Sequence, residues 1–285
     1  MKLANLGGRP YLVNGDLGLD VAAASEGRFS SAQAVLTAWV EFGAWARTVP
    51  DTSPRWRTLP DSVPLGPPVP RPGVIWAAGL NYGKHRHEAL DLAAGEDHGL
   101  PETFLKSPRA ITGPTSPIVL PSGTVDYEVE LVAVVGVRAS RVARADAMAH
   151  VAGFMVGQDV SDRSFQYSAV PQLSMAKSFE TFAPTGPYLV STDEMPDFAD
   201  AAIECRLNGE LVQSDVLGSM VRSVAELVEL FSRVTPLEPG DLIFCGTPSG
   251  VGHRRVPPRF LVPGDEVVSS IGGIGVMRNQ CVAPD

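Results

Sequence analysis

Glu128 and Glu130 are two residues apart in Asp126-Tyr127-Glu128-Val129-Glu130-Leu131. In a β-strand, positions i and i+2 face the same side, so this spacing sets two carboxylates together. Two uncompensated carboxylates repel and raise each other's pKa, a conflict that a divalent cation removes. A solvated strand face fits the same spacing. Asp159, in Gly157-Gln158-Asp159-Val160-Ser161, closes a second apolar run, where a lone Asp also serves as a turn or helix cap. Together the three form an all-oxygen set of the kind that hard cations such as Mg²⁺ and Mn²⁺ take. No Cys/His cluster suits Zn²⁺.

Three further stretches carry chemistry. His85 and Glu88 sit at i and i+3; on a helix they share a face, where a carboxylate can orient an imidazole and raise its basicity. A surface helical pair has the same spacing, and His87 points elsewhere. Lys177, between apolar neighbours in Met175-Ala176-Lys177-Ser178-Phe179, either snorkels to the surface or holds a carboxylate or developing oxyanion. Arg163 and Gln166 are polar residues upstream of it. Gly246-Thr247-Pro248-Ser249-Gly250-Val251-Gly252 lacks the Lys-Ser/Thr ending and following helix of a phosphate loop, so it reads as a glycine-rich turn approaching a ligand and not as a nucleotide site.

The elements that must position these residues are mostly strands. Short apolar runs recur at Val74–Ala78, Ile118–Leu120, Glu128–Val137, Gly153–Val160, Gly186–Val190, Ala202–Leu207, Asp241–Cys245 and Glu266–Ile271, most of them bounded by turn residues. Helices are expected from near Tyr82 and over Val221–Arg233. The Pro64–Pro72 run is extended and helix-incompatible, and it predicts two domains, 1–70 and 71–285. In the first, short strands flank an Asn14-Gly15 turn. An amphipathic helix follows over Ser31–Trp45, with Ala34, Val35, Ala38, Trp39 and Phe42 on one face.

Composition sets the frame. In 285 residues, 28 Gly and 25 Pro interrupt the backbone too often for a bundle or coiled coil. The net charge of −9 has the wrong sign for a nucleic-acid binder. Three scattered cysteines fit reduced thiols better than a disulfide framework. No run reaches the ~20 apolar residues of a membrane span, and the N-terminus lacks a signal-peptide layout. A soluble, cytoplasmic protein is expected.

In order, these motifs resemble the fumarylacetoacetate hydrolase family: Gly79-Leu80-Asn81-Tyr82 with His85 and Glu88, Asp126–Leu131, Asp159-Val160-Ser161 with Arg163 and Gln166, Lys177-Ser178-Phe179, and Gly246–Gly252. Pro263-Gly264-Asp265 and Ile271–Asn279 complete the match over roughly residues 71–280. The resemblance implies a mainly β, α+β fold: a mixed β-roll catalytic domain plus a small N-terminal α/β domain, usually dimeric. It implies one Mg²⁺ or Mn²⁺ per subunit on Glu128, Glu130 and Asp159. His85 and Glu88 would lie on a lid and activate water. Lys177, Arg163, Gln166 and Thr247 would face substrate. Gln158, Glu180 and Gly272 depart from the family's usual Asn, Asp and Glu.

The favoured reading is a metal-dependent hydrolase cleaving a carbon–carbon bond in an acylpyruvate-type 2-oxo acid, a pyruvate-like enolate leaving against the cation and Lys177. The same parts suit an oxaloacetate-type decarboxylase, a 2-oxo-dienoate isomerase or a sugar-acid dehydratase. A non-catalytic metal-binding scaffold ranks last, because His85 and Glu88 are both present.

Overall fold

The computed structural model describes residues 1–59, 63–90, 100–195 and 197–284. Two sheets carry the structure. The larger is built on β1 (Lys2–Leu6), β2 (Arg9–Asn14), β3 (Leu17–Asp20), β4 (Ile75–Gly79), β5 (Glu102–Lys106), β6 (Val129–Val135), β7 (Val151–Gln158), β8 (Ala183–Ser191) and β11 (Leu242–Phe244). Its order is β3-β2-β1-β8-β7-β6-β11-β4-β5. The smaller sheet has the order β10 (Glu210–Val216), β9 (Ala202–Leu207), β12 (Glu266–Ile271), β13 (Gly275–Val282), with Ile118–Val119 at its edge.

β6 and β7 are buried along their whole length, which is why both read as nearly continuous apolar runs. β9 and β12 alternate buried with half-buried positions, as strands with one face on the core do. The sheets pack together where β6 meets β9, β7 meets β12 and β8 meets β13. This is the mixed, strand-dominated architecture that the motifs imply.

Residues on both sides of Pro64–Pro72 share the larger sheet. β1 pairs with β8 in the register Lys2↔Val190, and Leu65–Gly66 adds a short strand against β1. The expected helix at Ser31–Trp45 is two helices, α1 (Ala32–Thr37) and α2 (Trp39–Ala46), broken at Ala38 with φ −113° and ψ 36°. Leu36, off the expected face, is buried together with Val35 and Phe42. No helix among the described residues is long and apolar enough to cross a membrane. Cys205, Cys245 and Cys281 are buried free thiols.

Gly83–Leu90 forms α3 and Val224–Val234 forms α4. The sequence pattern starts α4 three residues early, because Ser223 stops it. The Ser223 hydroxyl accepts from the Glu226 amide, and the Glu226 carboxylate accepts from the Ser223 amide at 2.8 Å, a capping box. Val224, Leu227, Val228 and Phe231 then face the core, and Phe231 stacks on Trp76 with centroids 4.8 Å apart. Ser223→Ala is expected to cost about 0.5–2 kcal/mol of stability, read as a lowered denaturation midpoint with unchanged slope; an unmoved midpoint would contradict the cap's role.

Candidate metal and 2-oxo acid site

The three carboxylates converge because two strand ends lie side by side. Val129 pairs with Gln158 and Glu130 with Gly157. One step beyond, the Asp159 amide donates to the Glu128 carbonyl at 2.8 Å. Carboxylate oxygens of Glu128, Glu130 and Asp159 thereby come within 4.8 Å of one another. Gln158 fixes the corner: its amide oxygen accepts from the Glu128 amide at 2.9 Å while its nitrogen donates to Ser269. Gly246, at φ +98°, lets its N–H donate to Glu130 at 2.8 Å. A side chain there would meet Asn81 Cβ at 2.6 Å.

The charges are unevenly compensated. Lys177 Nζ donates to Glu128 Oε2 at 2.7 Å and Asp159 Oδ2 at 2.6 Å. Arg163 donates to Glu128 Oε1 at 2.5 Å and to Gln166 Oε1 at 2.6 Å. It also donates twice to Asp126, at 2.9 and 2.7 Å. Burial pushes Glu128 up, but Lys177 and Arg163 overcome it and hold the carboxyl below its usual range. Among the described residues Glu130 makes no ion pair, and Lys177 only partly offsets its surroundings. Burial, then Asp159 and Glu128, raise it well above the ordinary carboxylate value. A divalent cation suits this donor set: three carboxylates are buried together, and Glu130, unlike Glu128 and Asp159, makes no ion pair among the described residues.

Over this corner lies a cavity of about 180 Å³. His85 lines it from α3, its Nδ1 3.1 Å from Glu88 Oε2. Gly250, at φ +105°, donates its N–H toward the same Glu88 carboxylate. Asn81 ties the start of the helical segment down, donating to the Cys245 carbonyl at 2.7 Å and accepting from the Arg222 amide at 2.7 Å. A larger cleft of about 1010 Å³, lined by Trp39, Trp56 and Glu194 among others, holds none of the candidate residues.

With this geometry in view, the comparisons decide the family. The family model described as fumarylacetoacetate (FAA) hydrolase C-terminal matches residues 74–282. The chain belongs to the fumarylacetoacetate hydrolase family. It is 44% identical over 218 residues to the mitochondrial oxaloacetate tautomerase FAHD2B of Bos taurus, covering 75% of this chain and 68% of that one. Among solved structures it is similar to a fumarylacetoacetate hydrolase from psychrophilic Exiguobacterium antarcticum, with 31% identity, full coverage of both chains and a TM-score of 0.83. It is also similar to a maleylpyruvate hydrolase of Sphingobium sp. SYK-6 in complex with manganese(II) ion and pyruvate, with 28% identity, full coverage of both chains and a TM-score of 0.81. This chain is therefore an enzyme of a family acting at carbon–carbon bonds.

In this member of the fumarylacetoacetate hydrolase family, His85, Glu128, Glu130, Arg163, Gln166, Lys177 and Thr247 all line the one cavity. Glu88 stands behind His85, and Asp159 is fully buried beneath Lys177. Lys177 does not snorkel; it is spent on two of the candidate ligands. Thr247 is held by donating to the Val129 carbonyl and accepting from Gln213, both at 2.8 Å. The polar stretch Ala93–Gly99, expected as a movable connection after the lid, lies outside the described residues. Among the departures, Gln158 supports Glu128, Glu180 is exposed, and Gly272 sits in the β12–β13 turn. Four participants escaped the sequence reading. Lys106 is a fully buried ammonium on Asp159 and the Lys177 carbonyl, Asp126 clamps Arg163, and His253 and Tyr167 line the cavity. Only Asp126, inside a quoted motif, had a signal at hand.

Proposed function

We propose that this enzyme interconverts the enol and keto forms of a small 2-oxo diacid of the oxaloacetate type. The observation that carries the reading is the size and lining of the cavity. At about 180 Å³ it falls below the roughly 300–1,000 Å³ of sites for drug-sized ligands, and its lining sets Arg163, Lys177 and Arg254 beside Glu102, Glu128 and Glu130, which with a divalent cation on the carboxylates would suit a short dianion. The name of the Bos taurus relative supports the same substrate.

Glu128, Glu130 and Asp159 would hold one Mg²⁺ or Mn²⁺ per chain, which would supply Lewis-acid polarisation of a keto oxygen. His85 takes or returns the proton at that carbon, its ring turned by the Glu88 contact at Nδ1. Lys177, at the edge of the triad, neutralises charge developing on the enolate oxygen. Arg163, held on Asp126 and Gln166, faces a substrate carboxylate. Thr247 fixes the floor.

Carbon–carbon hydrolysis of an acylpyruvate is the second reading, favoured by the same His85–Glu88 pair acting on water and by the likeness to the maleylpyruvate hydrolase. The test assays the Mn²⁺-loaded protein, with and without EDTA, on enol-oxaloacetate, acetylpyruvate and maleylpyruvate. Metal-dependent enol–keto conversion with slow acylpyruvate cleavage is expected. Cleavage of acetylpyruvate to acetate and pyruvate with no tautomerisation overturns the first reading for the second; carbon dioxide release from oxaloacetate would report decarboxylation. A homodimer is proposed as well, on the family resemblance, and light scattering should return twice the 30.2 kDa of one chain.

A further inference from the structure

A second carboxylate-anchored imidazole faces the cavity, from the turn that already holds the first. The turn Gly250–His253 sends its Gly250 N–H toward Glu88 and its Gly252 N–H to Asp126 Oδ1 at 2.7 Å. The His253 ring then lies with Nδ1 3.0 Å from Asp126 Oδ2, and its backbone N–H donates to the same oxygen at 3.1 Å. Asp126 is fully buried and also accepts twice from Arg163, at 2.9 and 2.7 Å. A carboxylate held by Arg163 accepts from Nδ1–H, and in the neutral ring the lone pair is then on Nε2. That nitrogen is 3.0 Å from the Tyr167 hydroxyl, which donates to it when the ring is neutral. Tyr167 is 56% exposed and His253 and Tyr167 both line the cavity with His85, so the phenol can move aside and leave Nε2 facing a ligand.

We propose that His253 is the second proton carrier of the site, anchored on Asp126 at Nδ1 and exchanging a proton with the substrate at Nε2, directly or through the Tyr167 hydroxyl. This deepens, and rests on, the tautomerase reading, because tautomerisation needs one proton removed and another delivered at different atoms. In the enol-to-keto direction His253 Nε2 takes the hydroxyl proton, and the O–H pair becomes the carbonyl π bond. The C=C pair forms a new C–H bond with the proton held by His85, whose charge Glu88 balances. His85 ends neutral and His253 protonated, and exchange with solvent resets both; the reverse direction swaps the roles. The groups facing the His253 ring fit a neutral base. Burial and Arg163 lower its pKa, with Asp126 and the more distant Glu128 opposing, for a net shift below the ordinary histidine value.

Three arms test it on the Mn²⁺-loaded enzyme. His253→Ala should lower kcat for enol–keto conversion of oxaloacetate by ~10²-fold or more, with Mn²⁺ affinity unchanged, and added imidazole should restore part of the rate. His253→Gln keeps an N–H for Asp126 and so protects the fold, yet should be as slow as His253→Ala and lose the matching limb of the pH–rate profile. Tyr167→Phe should be the mildest. An active wild type whose two His253 variants keep kcat within twofold overturns the proposal alone, as does a loss that imidazole leaves untouched and His253→Gln repairs. A wild type inert on enol-oxaloacetate overturns the tautomerase reading, and this inference with it. Ring ¹⁵N spectra add a check without turnover: neutral His253 carrying its hydrogen on Nε2 overturns the assignment whatever the substrate.

Discussion

Glu130→Gln is expected to abolish metal-dependent turnover while sparing the fold. Burial, Asp159 and Glu128 favour the protonated form of Glu130 when no cation is present, and Gln is close to an isostere of that form. It keeps an oxygen for the Gly246 N–H and adds no buried charge. Its amide cannot replace a carboxylate as an anionic ligand, however. Loss even of residues that only orient metal ligands costs ~10–100-fold in affinity, so removing one of three carboxylates should weaken Mn²⁺ binding by at least ~100-fold. Glu128→Ala is the instructive contrast. It strips one partner from both Lys177 and Arg163, which are buried. Uncompensated buried charges cost about 3–5 kcal/mol; each cation keeps a second carboxylate, Asp159 or Asp126, so about 3 kcal/mol is expected. Calorimetric Mn²⁺ titration and thermal melts of both variants separate binding from folding. Wild-type Mn²⁺ affinity in a folded Glu130→Gln protein would remove the triad from consideration as the metal site.

That contrast marks where the sequence stops being legible. The i, i+2 pairing of Glu128 and Glu130 and the strand-end position of Asp159 follow from the two-residue period of strands, and the structure brings them together as that period requires. Most strand runs and α3 and α4 were readable for similar reasons, since burial on both faces of β6 and β7 leaves a continuous apolar signature. Long-range electrostatics left no such trace. Lys106 sits in Thr103-Phe104-Leu105-Lys106, indistinguishable from a surface lysine until β5 is seen to pair with β4 and carry it under Asp159. His253 lies in His253-Arg254-Arg255, a basic run that reads as solvated, and only its turn against Asp126 makes it part of the site. The break at Ala38 was hidden too, because both halves of that segment have helix-compatible residues.

His85→Ala should lower kcat by ~10²–10⁴-fold, the range for removing a general acid–base group, with Mn²⁺ affinity near wild type. The separation follows from position. His85 lines the cavity from α3 and hydrogen-bonds Glu88, whereas the triad is held by β6, the end of β7 and the Gly246 amide. Glu88→Gln should be milder and affect the same parameter. A glutamine oxygen can still accept from Nδ1 and turn the ring toward substrate, but it carries no charge to stabilise the imidazolium formed when His85 takes a proton. It also leaves the Gly250 N–H an acceptor, so the turn carrying His253 stays in place. Steady-state kinetics on each substrate that the wild type turns over then separates the readings by mechanism. In tautomerisation His85 exchanges a proton at carbon and in acylpyruvate hydrolysis it takes one from water, so both activities should fall together in His85→Ala. Decarboxylation removes carbon dioxide and not a proton, and can proceed on polarisation of the keto oxygen with Lys177 nearby. A variant that keeps full carbon dioxide release and loses everything else would assign decarboxylation to the carboxylate–lysine corner and proton traffic to the His85–Glu88 pair on α3. Unchanged kcat for every activity in both variants would take the proton-transfer role away from His85 altogether.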